Sequence, residues 1–356
     1  MNLTVANRFL LVVSISVGVA CGVEGGGGTH GGESRETWKK KYLRPREVPF
    51  PVENVPTAAK VELGRKLFFD PRLSKSGGTS CASCHNPALA WGDGLALGIG
   101  AGMKTLGRRT PTILNSGFQE VFFWDGRARS LEEQALGPIQ SEGEMAMDLK
   151  TLTELLGSTT EYIKMFQDIF QARPSPKLIG KAIAAYERTI VSAPSPFDHW
   201  INGKENAISD EAKQGFDLFN GKANCAKCHT GWNFTDDGFH DIGVGDSDRG
   251  RALHLPLPTM EHAFKTPTLR QVDQRGPYLH NGSEPTLEAV IEFYNLGGRA
   301  KRPNQSREVR PLQLSEGEKD KLLAFLRTLT GPDLEVKIPT LPREVLKIRG
   351  QSGENL

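Results

Sequence analysis

The sequence lacks three features that would place it in a familiar class of protein. It has no apolar run of the roughly 18 residues that a membrane-spanning helix needs. It has no marked excess of positive charge, since 44 Lys and Arg face 42 Asp and Glu, and this excludes nucleic acid as the main partner. It also has few cysteines, five in 356 residues. What it does have is a hydrophobic content of 38%, enough to form a core, and a length that predicts two domains.

The first residues predict export from the cytoplasm. A short apolar stretch, residues 9–20, follows Arg8 and ends in small residues just before Cys21. Cys21 stands where a bacterial lipoprotein carries its lipid, but Gly18 replaces the leucine that is usual there, so cleavage before an unmodified Cys21 is the alternative. We predict an export signal at residues 1–20, a flexible lead or lipoprotein tether at residues 21–45, and a periplasmic protein. Its membrane contact would be a lipid on Cys21 if the lipoprotein alternative holds, and otherwise none is expected.

The other four cysteines form two C-x-x-C-H frames, at residues 81–85 and 225–229. Each thiol of such a frame can add to one vinyl group of a haem, and the adjacent histidine can then bind the iron. The alternatives are a four-Cys zinc site or disulfides. The frames are too far apart for a zinc ribbon, and neither alternative needs the trailing histidines. We therefore predict two covalent c-type haems. The binding residues are Cys81, Cys84, His85, Cys225, Cys228 and His229.

Apolar residues at helical spacing dominate the remaining sequence. They predict helices over residues 57–69, 285–296 and 315–330. Ser-x-x-Glu sequences, which are typical of helix N-termini, begin at Ser130, Ser158 and Ser315. No alternating run predicts a sheet. The expected fold class is therefore all-α, with two cytochrome c-like haem domains and long loops.

The boundary between the two haem domains is expected near residues 192–206, which are rich in Pro, Ser and Asn. We place the N-terminal, peroxide-reactive haem domain at residues 46–204 and the C-terminal, electron-transfer haem domain at residues 205–335. Residues 336–356 are then a C-terminal tail. The assignment of roles to the two domains depends on the resemblance described next.

From about Val48 onward the chain resembles the bacterial dihaem cytochrome c peroxidase family, which includes MauG. The matching stretches are CASCHNPAL at residues 81–89, FWDGR at 123–127, LEEQALGPIQ at 131–140, KTPTLR at 265–270 and PYLHNG at 277–282. The resemblance implies that the N-terminal haem reacts with hydrogen peroxide and that the C-terminal haem carries electrons. It also implies that His85 and His229 are the proximal iron ligands.

The loop after the first frame departs from the ordinary peroxidases of the family. They commonly carry a histidine there that binds the resting iron, whereas this chain has Ala101. Alanine has no lone pair to donate, so the resemblance implies an iron open to peroxide without prior reduction, as in MauG. The alternative is that Met103 binds the iron through its thioether.

Glu144 lies at the spacing from Trp124 at which the family places its distal glutamate. A carboxylate there can move a proton between the two oxygens of peroxide. Gln134 and Pro138 match neighbouring pocket positions and would orient the peroxide and close the site. The alternative is that Glu144, like Glu142, is a solvated surface acid.

Tyr294 stands where the ordinary peroxidases have a methionine ligand to the second iron. The resemblance to MauG implies that Tyr294 is that ligand, and phenolate is an anionic donor that stabilises oxidised iron. A helix aromatic that faces the core is one alternative, and ligation by Met260 is another.

Two further expectations follow from the resemblance. Trp124 matches the residue that lies between the haems and would relay an electron between them, although alone it would be interpreted as a core aromatic. A calcium ion between the domains is possible but doubtful. The backbone oxygens of Arg275 and Pro277 match family donors, but Arg109 replaces the usual asparagine ligand.

The predicted function is that of a cytochrome c peroxidase-type oxidoreductase of the MauG kind. Its partners are hydrogen peroxide and either a small redox donor, cytochrome c or cupredoxin, or a protein substrate whose aromatic residues it oxidises. A non-catalytic dihaem electron carrier is the third hypothesis, and it is disfavoured because such carriers keep both irons six-coordinate.

Overall fold

Short helices joined by long loops make up most of the chain in the computed structural model, which describes residues 34–342. The predicted export signal and Cys21 lie outside the described residues, as do residues 21–33 of the predicted lead and residues 343–356 of the predicted tail. Within the described range no helix is long and apolar enough to cross a membrane. Residues 35–342 belong to one compact unit.

The helices of the described residues are given in chain order, on either side of the boundary predicted at residue 204. Those before it are α1 Arg35–Lys41, α2 Ala58–Phe69, α3 Cys81–Cys84, α4 Leu131–Gln134, α5 Leu136–Gln140, α6 Leu149–Leu156, α7 Thr160–Phe170, α8 Pro176–Glu187 and α9 Pro196–Ile201. Those after it are α10 Asp210–Asn220, α11 Leu287–Asn295 and α12 Glu316–Arg327. The strands are β1 Phe239–His240 and β2 Phe264–Lys265, an antiparallel pair with Phe239 opposite Lys265. The all-α fold class predicted from the sequence is confirmed.

The first hydrophobic core forms where α2 crosses α8. Gly64 makes the crossing close, because a Cβ atom added there would lie 1.9 Å from the Ala182 carbonyl oxygen and 2.9 Å from Tyr186 Cβ. Leu63 and Leu67 of α2 are fully buried in this core. A glycine at this point therefore lets two helices pack with their backbones in contact.

The second core repeats that arrangement where α10 crosses α12. A Cβ atom at Gly215 would lie 1.9 Å from the Lys321 carbonyl oxygen and 2.8 Å from Phe325 Cβ. Aromatic rings fill the space around the crossing in edge-to-face contacts. Tyr42 and α9 also pack in this second core, although they precede residue 205 in the sequence.

The helix ends agree with most of the sequence signals. Thr57 and Ser315 are N-caps, and Ser315 forms a reciprocal capping box with Glu318. Ser130 caps α4, but Glu133 accepts a hydrogen bond from Arg129 N rather than from Ser130 N. The prediction of a helix start at Ser158 is wrong. The N-cap of α7 is Thr159, and the Ser158 hydroxyl instead donates to the Leu155 carbonyl oxygen of the preceding turn.

Candidate two-haem site

One large cavity, of about 640 Å³, is lined by residues from both cores and by both C-x-x-C-H frames. The thiols of the frames at residues 81–85 and 225–229 are free. The disulfide alternative is thus excluded, and the thiols are available for thioether bonds. In each frame the backbone closes one helical turn, since the histidine N–H donates to the carbonyl oxygen of the first cysteine at 2.8 and 2.9 Å. This turn sets the histidine beside its two thiols.

The two histidines have the same hydrogen-bonding pattern. His85 Nδ1 lies 3.2 Å from the Trp91 carbonyl oxygen, and His229 Nδ1 lies 2.9 Å from the Phe234 carbonyl oxygen. With the proton on Nδ1 donated to the carbonyl, the Nε2 lone pair is free to bind a metal. Burial lowers the pKa of both imidazoles, which keeps them neutral. Free thiol pairs, neutral imidazoles and a large cavity together fit two c-type haems.

A carboxylate lines the cavity near the first frame. Glu144 is partly buried in the loop after α5, whereas Glu142 is exposed. Burial raises the pKa of Glu144, and the charge of Arg127 opposes that rise. Burial, followed by the charges of Asp93 and Glu144, raises the pKa of the Cys84 thiol to about 11, so the carboxylate lies near that thiol. This environment is unlike that of a solvated surface acid.

Gln134, at the end of α4, and Pro138, in α5, line the same cavity, and the Pro138 carbonyl oxygen accepts from the N–H of Met145, next to Glu144, at 3.1 Å. The sequence reasoning did not single out Arg127, which also lines the cavity there. Its guanidinium lies 3.5 Å from the centre of the Phe123 ring and is held by Asp125 at 3.0 Å. The signal for Arg127 was its place in the matching stretch FWDGR.

The loop with Ala101 docks against the loop with Glu144. Ala101 N donates to the Gly143 carbonyl oxygen at 3.0 Å, and Gly100 lines the cavity. Met103 is 80% exposed and is not among the lining residues. The structure therefore does not support Met103 as an iron ligand.

Tyr294 lines the cavity on the side of the second frame, from the last turn of α11. Burial, and then the nearby thiols of Cys228 and Cys225, raise the pKa of Tyr294. Phe293, its neighbour in α11, is buried but does not line the cavity. Met260 is not among the lining residues. Of the two candidate ligands, Tyr294 alone therefore faces the cavity.

Trp124 lines the cavity and contacts residues from both parts of the chain. Its Nε1 donates to the Arg109 carbonyl oxygen at 2.8 Å, and its own carbonyl oxygen accepts from Lys265 N at 2.8 Å. Its ring meets that of His280 edge-on at 6.4 Å, and His280 stacks on Phe264 at 3.6 Å. The sequence reasoning did not propose a role for His280, although it lies in the matching stretch PYLHNG.

Arg109 fills the position at which calcium was considered. Its guanidinium donates to the Arg275 carbonyl oxygen, which is one of the two backbone donors expected for the ion. A guanidinium has no lone pair for a metal and carries a positive charge itself. These residues therefore do not fit a calcium ion.

Comparisons with known proteins agree with this geometry. Residues 58–206 match the family model "Di-haem cytochrome c peroxidase", and residues 212–330 match the model "Cytochrome c". The chain is 47% identical to the methylamine utilization protein MauG of Methylorubrum extorquens, over 85% of this chain and 87% of that protein. It is 36% identical to the cytochrome c551 peroxidase of Nitrosomonas europaea, over 79% and 83% of the two chains. A solved structure of a MauG-like protein associated with microbial copper homeostasis superposes with a TM-score of 0.74 at 31% identity, covering 82% and 94%.

Proposed function

The chain belongs to the di-haem cytochrome c peroxidase family, with two c-type haems, and from this premise we propose a division of labour between its two frames. Hydrogen peroxide reacts at the frame of His85, and oxidising equivalents pass to the frame of His229, where Tyr294 would be the second protein ligand of the iron. The N-terminal part, residues 46–204, is then the peroxide-reactive domain, and residues 205–335 form the electron-transfer domain.

The chain's own residues hold the two groups. The thiols of Cys81, Cys84, Cys225 and Cys228 form the thioether bonds. The imidazoles of His85 and His229 would bind iron through Nε2, because Nδ1 donates to a backbone carbonyl oxygen and so fixes the ring. When bound, the two haems supply one-electron redox centres, and the first supplies an iron site that peroxide can reach. Ala101 leaves that side of the site without a protein ligand.

Glu144 is the acid–base group of the peroxide reaction. Its carboxylate accepts the proton from one peroxide oxygen and delivers it to the other, which leaves as water. A raised pKa suits this role, because the carboxyl then takes up a proton more readily than an exposed glutamate does. Gln134 orients the peroxide with its side-chain amide, and Pro138 limits the access of bulk water.

Trp124 is the relay between the two parts of the site. Its indole is fixed by the hydrogen bond to the Arg109 carbonyl oxygen, and its neighbours Lys265 and His280 come from the C-terminal part of the chain. An aromatic ring so placed shortens the distance that each electron must travel.

One observation carries the proposal: Glu144 and Tyr294 line the same cavity as the two frames. The test is to add peroxide to the all-ferric holoprotein without any reductant. We expect a high-spin ferric band in the resting protein and immediate consumption of peroxide. We also expect a near-infrared band from a long-lived state in which both haems are oxidised beyond the ferric level. Two low-spin haems that ignore peroxide until one electron is added would contradict the open first site.

Two uses of the oxidising power compete. The identity to MauG and the position of Tyr294 favour oxidation of aromatic residues on a partner protein. The identity to a cytochrome c551 peroxidase favours peroxide reduction with electrons from a cytochrome c or a cupredoxin. Rapid peroxide turnover with a reduced small redox protein would support the second use, and slow turnover with every such donor would support the first.

Export to the periplasm remains part of the proposal, since c-type haems are attached outside the cytoplasm. Intact-mass measurement of the mature protein separates the two N-terminal alternatives. A diacylglycerol mass on Cys21 supports a lipoprotein, and an unmodified N-terminus supports a soluble periplasmic form.

A further inference from the structure

Arg109 is a buried cation anchored between the two parts of the site. It is 7% exposed. Its backbone N–H donates to the His280 carbonyl oxygen at 2.7 Å, and its carbonyl oxygen accepts from Trp124 Nε1 at 2.8 Å. Hydrogen bonds therefore fix both the backbone N–H and the backbone carbonyl group of Arg109. The Cα atom, from which the side chain extends, is held next to Trp124.

The guanidinium of Arg109 binds backbone oxygen rather than carboxylate. Its Nη2 donates to the Arg275 carbonyl oxygen. Arg275 is itself 7% exposed, and its guanidinium donates to the carbonyl oxygens of Gln271 at 3.3 Å and Thr268 at 2.5 Å. Within residues 34–342 neither guanidinium forms an ion pair with a carboxylate, and Arg109 Nε has no hydrogen-bond partner.

Two buried guanidiniums bring two positive charges to one place, which is the charge of a single calcium ion. Burial lowers the pKa of Arg109, and burial together with the charge of Arg109 lowers the pKa of Arg275 to about 9. Buried charges without a counter-charge are costly. Both side chains line the cavity, and a c-type haem carries two carboxylates, so bound haem would bring negative charge into the same cavity.

We infer that the Arg109 guanidinium takes the place of the inter-domain calcium ion, so that the two-haem protein is calcium-independent. The Arg275 carbonyl oxygen, a backbone donor for calcium in the family pattern, is already occupied by an N–H donor. An arginine supplies the positive charge permanently, whereas a calcium ion can dissociate. This inference rests on family membership and local geometry, and it does not depend on which substrate the enzyme oxidises.

The deciding experiment uses the wild-type protein with both haems. It is treated with EGTA, dialysed and titrated with Ca²⁺, while bound calcium per chain, the visible spectrum and the thermal midpoint are measured. We expect no retained calcium, and a spectrum and midpoint that neither EGTA nor Ca²⁺ changes. One tightly bound calcium per chain, with a spectrum that changes on its removal, would overturn the inference.

A pair of variants tests the exchange of one cation for the other. R109N with R275Q restores an amide oxygen and removes both charges, and we expect it to bind Ca²⁺ and to gain thermal stability from it. The matched control, R109A with R275Q, lacks that oxygen and should show at least tenfold weaker Ca²⁺ binding. An R109N/R275Q protein with both haems but no response to Ca²⁺ would show that this is not a calcium position. Should that variant fail to load its haems, the wild-type titration decides alone.

Discussion

Two parts of the molecule carry the C-x-x-C-H frames. They are alike on the side of the cavity that holds the histidine, and they differ on the side opposite it. In each, a glycine lets two helices cross closely, at Gly64 in the first core and Gly215 in the second. In each, the histidine Nδ1 meets a carbonyl oxygen of a residue with positive φ, Trp91 or Phe234. The histidine side of the two sites is therefore a repeated structure.

The opposite side differs in the chemistry of its side chains. Near the first frame the cavity is lined by Gln134, Pro138 and Glu144. Their side chains are an amide, an apolar ring and a carboxyl group. Near the second frame α11 presents the Tyr294 phenol. Because the histidine sides match, we attribute the different reactivities proposed for the two haems to residues on this opposite side.

The largest effect is expected from removing the carboxylate of the first site. E144Q keeps the shape of the side chain but cannot take up and deliver a proton, so peroxide cleavage should slow by about 100-fold or more. Stopped-flow mixing with peroxide measures the rate, and haem content should remain two per chain. E142Q is the matched control, because Glu142 is exposed, and its rate should equal that of the wild type. An unchanged rate in E144Q would place the acid elsewhere.

The next comparison concerns the ligand of the second site. Y294M would replace the proposed anionic donor, the Tyr294 phenolate, with a neutral thioether, so the potential of that haem should rise by on the order of 100 mV or more. The long-lived state in which both haems are oxidised beyond the ferric level should disappear, while the first haem still reacts with peroxide. Potentiometry on the wild type, Y294M and the control Y278F measures the shift, since Tyr278 also lines the cavity but donates to the Val272 carbonyl oxygen. Equal potentials in wild type and Y294M would reduce Tyr294 to a packing residue.

The repeated helix crossings give a symmetrical pair of stability predictions. G64A and G215A each force a Cβ atom against a carbonyl oxygen, so each should lose about 1–3 kcal/mol of unfolding free energy. G317A is the control, because its Cβ would meet open space near the start of α12, and it should be neutral or more stable by up to about 1 kcal/mol. Denaturant unfolding measures all three. No loss in either crossing variant would mean that the helices can separate at no cost.

Local signals were sufficient for the repeated side of the comparison. The two frames, the helices near residues 57–69, 285–296 and 315–330, and the cap at Ser315 depend on residues close in sequence, and the structure contains them. The start of α7 was misplaced because Ser158 and Thr159 are both capable N-caps, and their sequence spacing does not distinguish them.

Long-range contacts were beyond the sequence. Tyr42 and α9 pack with the second core, a contact between distant parts of the chain that periodicity does not show. The bond from Arg109 to the Arg275 carbonyl oxygen joins residues 166 apart. The division of the chain at residue 204 stays a prediction, and so do the roles of Glu144, Tyr294 and Trp124.

The smallest expected effect is a pH dependence confined to the first core. Glu187 follows Tyr186 at the helix crossing, is 4% exposed and has an Oε2 atom with no hydrogen-bond partner among the described residues. At the matching place after Phe325, the second core has Leu326. Burial raises the pKa of Glu187 to about 8, from an ordinary value of 4.5, against the weaker opposing charge of Arg188.

The sign of the effect follows from proton binding. Between pH 4.5 and about 8 the folded chain holds a proton on Glu187 that the unfolded chain has released. The unfolding free energy therefore falls as the pH rises through this window and levels off above it. E187Q cannot titrate, so its thermal midpoint should fall by a few degrees less than that of the wild type between pH 5 and 8. E142Q, at an exposed acid, should follow the wild type. If E187Q and the wild type lose the same number of degrees, Glu187 ionises with an ordinary pKa, and this difference between the two cores disappears.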